Sequence, residues 1–140
     1  MTTAPVEVQE WTKEAKSFSP TMTADVLTSP DAALDSIATG LASQGFRIKD
    51  RTATGFRATH RMVVQGILGL VTGNDADILD RTLLVVEAAP TAQGTRLTIS
   101  VAGGGEHRAG RKRGPAGLTV GLQELQRRGV GVTATPWQRA

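Results

Sequence analysis

Four stretches of the chain alternate apolar and polar residues, and this period of two constrains the fold more than any other feature. The stretches are Phe46 to Arg51, Phe56 to Gln65, Arg81 to Ala89 and Thr95 to Ala102. Because successive side chains of a strand point to opposite faces, each stretch predicts a half-buried strand. The short connections Thr52–Gly55 and Pro90–Gly94 predict two hairpins. An earlier stretch, Thr21 to Leu27, predicts one more strand.

Two helices complete the predicted fold. Ser29 is a good N-cap, Pro30 suits the first helical position, and an apolar stripe then runs to Gly45, which predicts a helix over 30–44. Pro115 and the leucines at 118, 122 and 125 predict a second helix over roughly 115–128. Val130 to Ala134 could add an edge strand. The sequence therefore predicts an α+β fold, with a single antiparallel sheet of about five to six strands and two helices packed on one face.

A single domain is expected for a chain of 140 residues. We interpret residues 1–20 as a partly ordered N-terminal arm, anchored by Trp11, and residues 21–140 as the α+β domain. The stretch 66–80 is apolar but interrupted by glycines, and it could be a core strand, a short helix or an exposed flap.

Composition excludes several classes of protein. The chain has no cysteine, which excludes disulfides, thiolate metal sites and a cysteine nucleophile. It has no apolar run long enough for a transmembrane segment and no signal-peptide pattern at its start, so we expect a cytoplasmic protein. Arginine supplies twelve of the sixteen basic residues. With the abundant alanine, glycine, threonine and valine, this is typical of a GC-rich bacterial genome.

The net charge of +3 is unevenly distributed. Residues 1–40 carry two basic and six acidic side chains, residues 41–80 five and four, and residues 81–140 nine and three, which gives −4, +1 and +6. Such asymmetry indicates either an anionic partner for the C-terminal half or an internal complement between the two ends.

The stretch from Gly103 to Gly129 is predicted to be a basic loop that enters the second helix. Cations just before a helix N-terminus are unfavourable unless an anion lies between them and the free backbone N–H groups. This indicates an anion-binding loop over 107–113, although a solvated connection explains the same residues. The glycines fit neither a Walker loop nor a dinucleotide fingerprint. The candidate residues are Arg108, Arg111, Lys112, Arg113 and Gly114.

The strand alternation predicts a second basic surface on the sheet. Phe46, Phe56 and His60 would face the core, and the basic residues between them would face outward. Such a face could contact the phosphates of a nucleic acid, but it would lack the aromatic residues on which bases stack. A solvated face is the alternative. The candidate residues are Arg47, Lys49, Arg57, Arg61 and Arg96, with Arg51 on the same parity.

The sequence contains no recognisable set of catalytic residues. His60 and His107 have no metal-ligand spacing, Ser29 is explained as a cap, and the serine-hydrolase pattern Gly-x-Ser-x-Gly is absent. Adjacent Glu106 and His107 would lack a fixed orientation in a loop. We therefore expect a protein that is not an enzyme and uses no cofactor or metal.

Met22 to Leu27, followed by Ser29-Pro30-Asp31, resembles the opening of the START-like, helix-grip ligand-binding domains. The resemblance implies an apolar cavity between a curved sheet and a long final helix; the predicted final helix is shorter and contains glycines. A sheet with two helices like that of the TATA-binding protein fits the same element order. The residues expected to line such a cavity are Leu34, Ile37, Met62, Leu84 and Leu122.

Three functions are consistent with the sequence. The first is a non-catalytic binding or assembly module, whose unknown partner could be another protein or a second copy of the chain. The second is binding of an anion or nucleic acid through the basic loop and the basic sheet face. The third is transport of a small apolar ligand.

Overall fold

The computed structural model describes residues 4–12, 19–61 and 81–139. These residues form two helices and one antiparallel sheet, so the predicted fold class is confirmed. The strands are β1 (Pro20–Val26), β2 (Phe46–Thr52), β3 (Gly55–Arg61), β4 (Arg81–Pro90), β5 (Thr95–Gly103), β6 (Val132–Ala134) and β7 (Gln138–Arg139). The helices are α1 (Pro30–Ser43) and α2 (Arg108–Arg127). The predicted alternatives for 66–80 lie outside the described residues.

Within the described residues the sheet has seven strands, in the order β2-β3-β4-β5-β1-β6, and β7 pairs with the start of β1. All pairs are antiparallel, including β1 with β5, which places the first strand in the interior of the sheet. Both helices pack against the face that carries the apolar side chains of the alternating strands. We call this the inner face, and the opposite one the outer face.

α1 forms as its sequence predicts. The Ser29 side chain accepts a hydrogen bond from the Ala32 backbone N–H at 3.2 Å, and Pro30 is the first helical residue. Gly45 ends the helix with a φ of +92°, a conformation that costs glycine little because it has no Cβ. The buried stripe includes Leu34, Ile37 and Leu41, all fully buried.

The predicted start of the second helix is wrong. α2 begins at Arg108, so Pro115 lies inside the helix and the residues 108–113 form its first turns rather than a loop. An interior proline costs about 3 kcal/mol because it removes one backbone hydrogen bond. Packing offsets this cost, since Gly110 lies against Thr82 and Gly114 against the ring of Trp11.

The N-terminal segment Ala4–Thr12 lies along α2, and we call it the strap. Trp11 is 3% exposed, and its indole Nε1 donates to the Gly105 carbonyl at 2.6 Å. Trp137 packs edge-on against Trp11, with ring centroids 5.1 Å apart, and its own Nε1 donates to the Gln9 carbonyl. The two tryptophans thus join the strap to the C-terminal residues.

Neither described helix is long and apolar enough to cross a membrane.

Candidate functional site

The outer face of the sheet carries basic side chains where β2 and β3 pair. Arg47, Lys49 and Arg57 are exposed; Phe46 and Ile48 flank Arg47 and Phe56 and Ala58 flank Arg57 on the core side, whereas Lys49 lies between Ile48 and the exposed Asp50. Their predicted orientation is confirmed. Arg61 ends β3, opposite Arg81 of β4, and its side chain lies outside the described part of the structure.

Lys49 and Arg57 occupy directly opposite positions on β2 and β3. Like charges in this arrangement repel, because the Cβ atoms of such a pair are only about 5 Å apart. Neither side chain forms an ion pair with a described residue. Arg57 and Glu87 line the same outer-face hollow of about 330 Å³, yet no ion pair joins them.

A buried hydroxyl adjoins this cluster. Thr59 lies opposite Arg47 across the β2–β3 pair, and its Oγ1 is buried without a hydrogen-bond partner among the described residues. Leaving a buried polar group without a partner costs about 1–3 kcal/mol. Together with Arg47, Lys49 and Arg57, this residue defines the basic sheet face of the structure.

Arg96 does not belong to the unpaired cluster. It lies opposite Asp25 of β1, and its Nε donates to Asp25 Oδ1 at 2.9 Å. This hydrogen bond, with the charge of Arg96, lowers the pKa of Asp25 below its ordinary value. The hydrogen bond to Asp25 in turn raises the pKa of Arg96. Asp25 therefore neutralises the predicted contribution of Arg96 to a basic face.

The predicted outward orientation of Arg51 is wrong. Asp50 has a φ of +55°, and the register of β2 shifts between Lys49 and Thr52, so the alternation of faces is broken. The guanidinium of Arg51 instead reaches α1, where it lies 3.1 Å from Asp35 and 3.5 Å from Asp31.

The second basic cluster is helical. Arg108, Lys112 and Arg113 are exposed on the first turns of α2, and Arg111 is half-buried with its Nε lacking any partner among the described residues. This first turn contains no acidic residue, and the N-cap His107 makes no capping hydrogen bond through its side chain. Gly114 is buried against Trp11, so it cannot be reached by an anion as predicted.

The two basic clusters lie on opposite sides of the sheet. α2 packs on the inner face, where Gly110 contacts Thr82, whereas Arg47, Lys49 and Arg57 point away from the helices. The basic sheet face therefore does not adjoin the basic start of α2. Each must be tested as a separate site.

Both histidines lie close to other side chains of the protein. His60 is 8% exposed, and its ring packs at 5.1 Å from that of Phe46, which confirms its predicted inward orientation. His107 Nε2 lies 3.6 Å from Glu106 Oε1 at the start of α2. Among the described residues, no three potential metal-ligating side chains cluster.

The residues expected to line an apolar cavity are in the core. Leu34, Ile37, Leu84 and Leu122 are fully buried, and Met62 lies outside the described residues. α2 is a helix of 20 residues, longer than the sequence predicted, so a short final helix is no longer a departure from the helix-grip pattern. Transport of an apolar ligand stays a prediction.

Comparisons with known proteins give this chain no family and no function. No family model and no curated protein matches the chain. The crystal structure of protein MLL2253 from Mesorhizobium loti is 12% identical and gives a TM-score of 0.49, over 79% of this chain and 97% of that one. Protein NE0264 from Nitrosomonas europaea is also 12% identical, with a TM-score of 0.43, over 81% of this chain and 97% of its own. At these values neither likeness bears on function.

Sequence reasoning missed the hydrogen-bonding side of α2. Thr119, Gln123 and Gln126 bind the backbone of the strap through their side chains. The only signal in the sequence was the polar stripe that these residues form at helical spacing. Such a stripe is usually solvated, so nothing pointed to the strap as its partner.

Proposed function

We propose that the protein is a non-catalytic binding module whose basic sheet face contacts an anionic partner. The observation that carries this proposal is the unpaired, directly opposed couple of Lys49 and Arg57 on the outer face. A repulsive couple lowers stability unless something else neutralises it. A bound anion would convert the repulsion into two favourable contacts.

Protection of the sheet edge explains only part of this arrangement. β2 is an edge strand, and charged side chains on an edge discourage pairing with another chain. Arg47 and Lys49 fit that role. Arg57 does not, because β3 is paired on both sides, with β2 and β4. Its position directly opposite Lys49 is therefore better explained by a partner.

The proposal predicts salt-dependent retention on heparin, used as a polyanion probe. Each cation that contacts the polyanion contributes to the slope of log affinity against log salt. We expect the double variant Lys49→Ala/Arg57→Ala to elute at lower salt, with the magnitude of that slope reduced by about 2. The measurement is the elution salt together with affinities at several salt concentrations.

A matched control separates the site from overall charge. Arg127→Ala/Arg128→Ala also removes two positive charges, but from residues that are paired with Glu124 on the helix side of the molecule. The control should change retention much less. Equal loss in both double variants, or no loss in the sheet variant, would reject the basic sheet face as the site.

The start of α2 is a second candidate, favoured by the buried and unpartnered Nε of Arg111. The same heparin experiment tests this cluster through the double variant Arg111→Ala/Arg113→Ala. The clusters lie on opposite sides of the sheet. If heparin binds only one of them, only the double variant in that cluster should reduce retention. Unchanged retention in this variant would remove the α2 cluster from consideration.

A further inference from the structure

One side of α2 hydrogen-bonds the backbone of the strap. The Gln126 side-chain oxygen accepts from the Val6 N–H at 2.8 Å, and the Gln123 side-chain amide donates to the Val6 carbonyl at 2.9 Å. Thr119 Oγ1 accepts from the Val8 N–H at 2.9 Å. These contacts are made to main-chain atoms of the strap, so they do not depend on which side chains Val6 and Val8 carry.

Three side chains of the strap are packed against the rest of the protein. Val8 is 8% exposed and belongs to the core cluster, and Val6 packs against that cluster. Trp11, three residues after Val8, packs beside Gly114 of α2, where the Cβ atom of any larger residue would lie only 2.9 Å from the ring. Two aliphatic residues in alternation and an indole therefore anchor an otherwise irregular segment.

The strap fills this side of α2 incompletely. A hollow of about 430 Å³ remains between strap and helix, lined on one side by Glu7 and Glu10 and on the other by Lys112, Ala116 and Thr119. Neither carboxylate forms an ion pair with Lys112. A segment that filled the hollow and placed a carboxylate on Lys112 would make more contacts there than the strap does.

We propose that this side of α2 is a peptide-binding groove and that the strap is its displaceable, tethered occupant. The ligand is an extended segment of a partner protein with the anchors of the strap: two alternate aliphatic residues, an indole three positions later and acidic residues between them. This site is independent of the basic sheet face, since it lies on the helix side of the sheet.

The test uses the full-length protein, labelled with ¹⁵N, and a capped synthetic peptide with the sequence of residues 4–12. Binding is followed through the backbone amide signals of α2, which every variant retains. A tethered strap reduces the apparent affinity of a competitor by the fraction of open groove. Releasing the strap with Val8→Asp should therefore tighten peptide binding at least tenfold.

Two controls define the groove. A peptide with alanine in place of the tryptophan should lose most of its binding to the Val8→Asp protein. Adding Gln123→Ala/Gln126→Ala to that protein should weaken the intact peptide at least tenfold, because the groups that bind its backbone are gone.

The remaining outcomes decide against the proposal. If Val8→Asp unfolds the protein, as judged by the dispersion of its amide signals, the strap is an integral part of the core. A folded variant that binds peptide no better than the natural protein also overturns the groove. If the natural protein dimerises and excess peptide dissociates the dimer, the ligand is the strap of a second copy and the assignment to a partner protein is wrong.

Discussion

Glycines at three positions determine how closely α1 and α2 approach. A Cβ atom on Gly40 would lie 2.3 Å from the Gly117 carbonyl oxygen and 2.6 Å from the Gly121 nitrogen. The Ser36 hydroxyl donates to the Gly121 carbonyl at 2.7 Å across the same contact. The helices thus touch backbone to backbone, and the lower helix propensity of glycine is offset by this packing.

Gly40→Ala should therefore destabilise the protein even though alanine is the better helix former. The neighbours of the new methyl group are backbone atoms that cannot rotate away, so the helices must separate. We expect the free energy of unfolding in urea to fall by about 1–3 kcal/mol.

Gly103→Ala is the control for that substitution. A Cβ atom at Gly103 would meet only the Cβ of Leu83, at 3.9 Å, which is an ordinary contact. Its effect should stay within about 0.5 kcal/mol. A stable Gly40→Ala protein would mean that the two helices can move apart without loss of core packing.

At the scale of single elements, local signals predicted α1 and the strands well. In α1 the cap, the proline and the apolar stripe all indicate the same boundaries, and in β3 the alternation around Phe56 and Ala58 places Arg57 outward as observed. The prediction failed where tertiary contacts override local preference. α2 extends seven residues before Pro115 because Gly110 and Gly114 pack closely, and no local pattern reveals that packing.

The candidate site was predictable only in part for the same reason. The alternation identified Arg47, Lys49 and Arg57, but a single residue with positive φ, Asp50, redirected Arg51 to α1. The pairing of Arg96 with Asp25 depends on the order of strands, because β1 lies next to β5. Residues 25 and 96 are remote in sequence, so charge composition alone could not reveal their neutralisation.

The first turn of α2 allows stability and binding to be separated. Its cations oppose the helix dipole, and the turn itself contains no acidic residue. We expect Arg108→Glu to raise the free energy of unfolding by about 0.3–1 kcal/mol, measured by urea denaturation. Arg108→Gln, which only removes the charge, should give a smaller gain.

The same pair of variants tests whether anions bind there. If the α2 cluster is an anion site, Arg108→Glu should gain stability and lose retention on heparin together. A loss of stability in Arg108→Glu would show that Arg108 is already compensated by contacts that the helix dipole does not describe.

At the scale of the whole molecule, the two ends of the chain hold each other. The strap runs along α2, β7 pairs with the first residues of β1, and the rings of Trp11 and Trp137 are in contact. The backbone of the strap is hydrogen-bonded mainly to side chains of α2 and to no described strand, and its burial rests on Val8 and Trp11. Segments of this kind open locally at a lower free energy than the sheet does.

Trp137→Ala should loosen the strap without unfolding the sheet. The substitution removes an edge-on aromatic pair, worth about 0.5–1.5 kcal/mol, and the hydrogen bond to the Gln9 carbonyl, worth about 1 kcal/mol. Hydrogen exchange of the Val6 and Val8 amides should then accelerate roughly ten- to a hundredfold. Amides in the β4–β5 pair should keep their protection, because these two strands hydrogen-bond each other and not the strap. Uniform acceleration across strap and sheet would instead mean that the tryptophan pair stabilises the whole fold, and that the strap has no opening of its own.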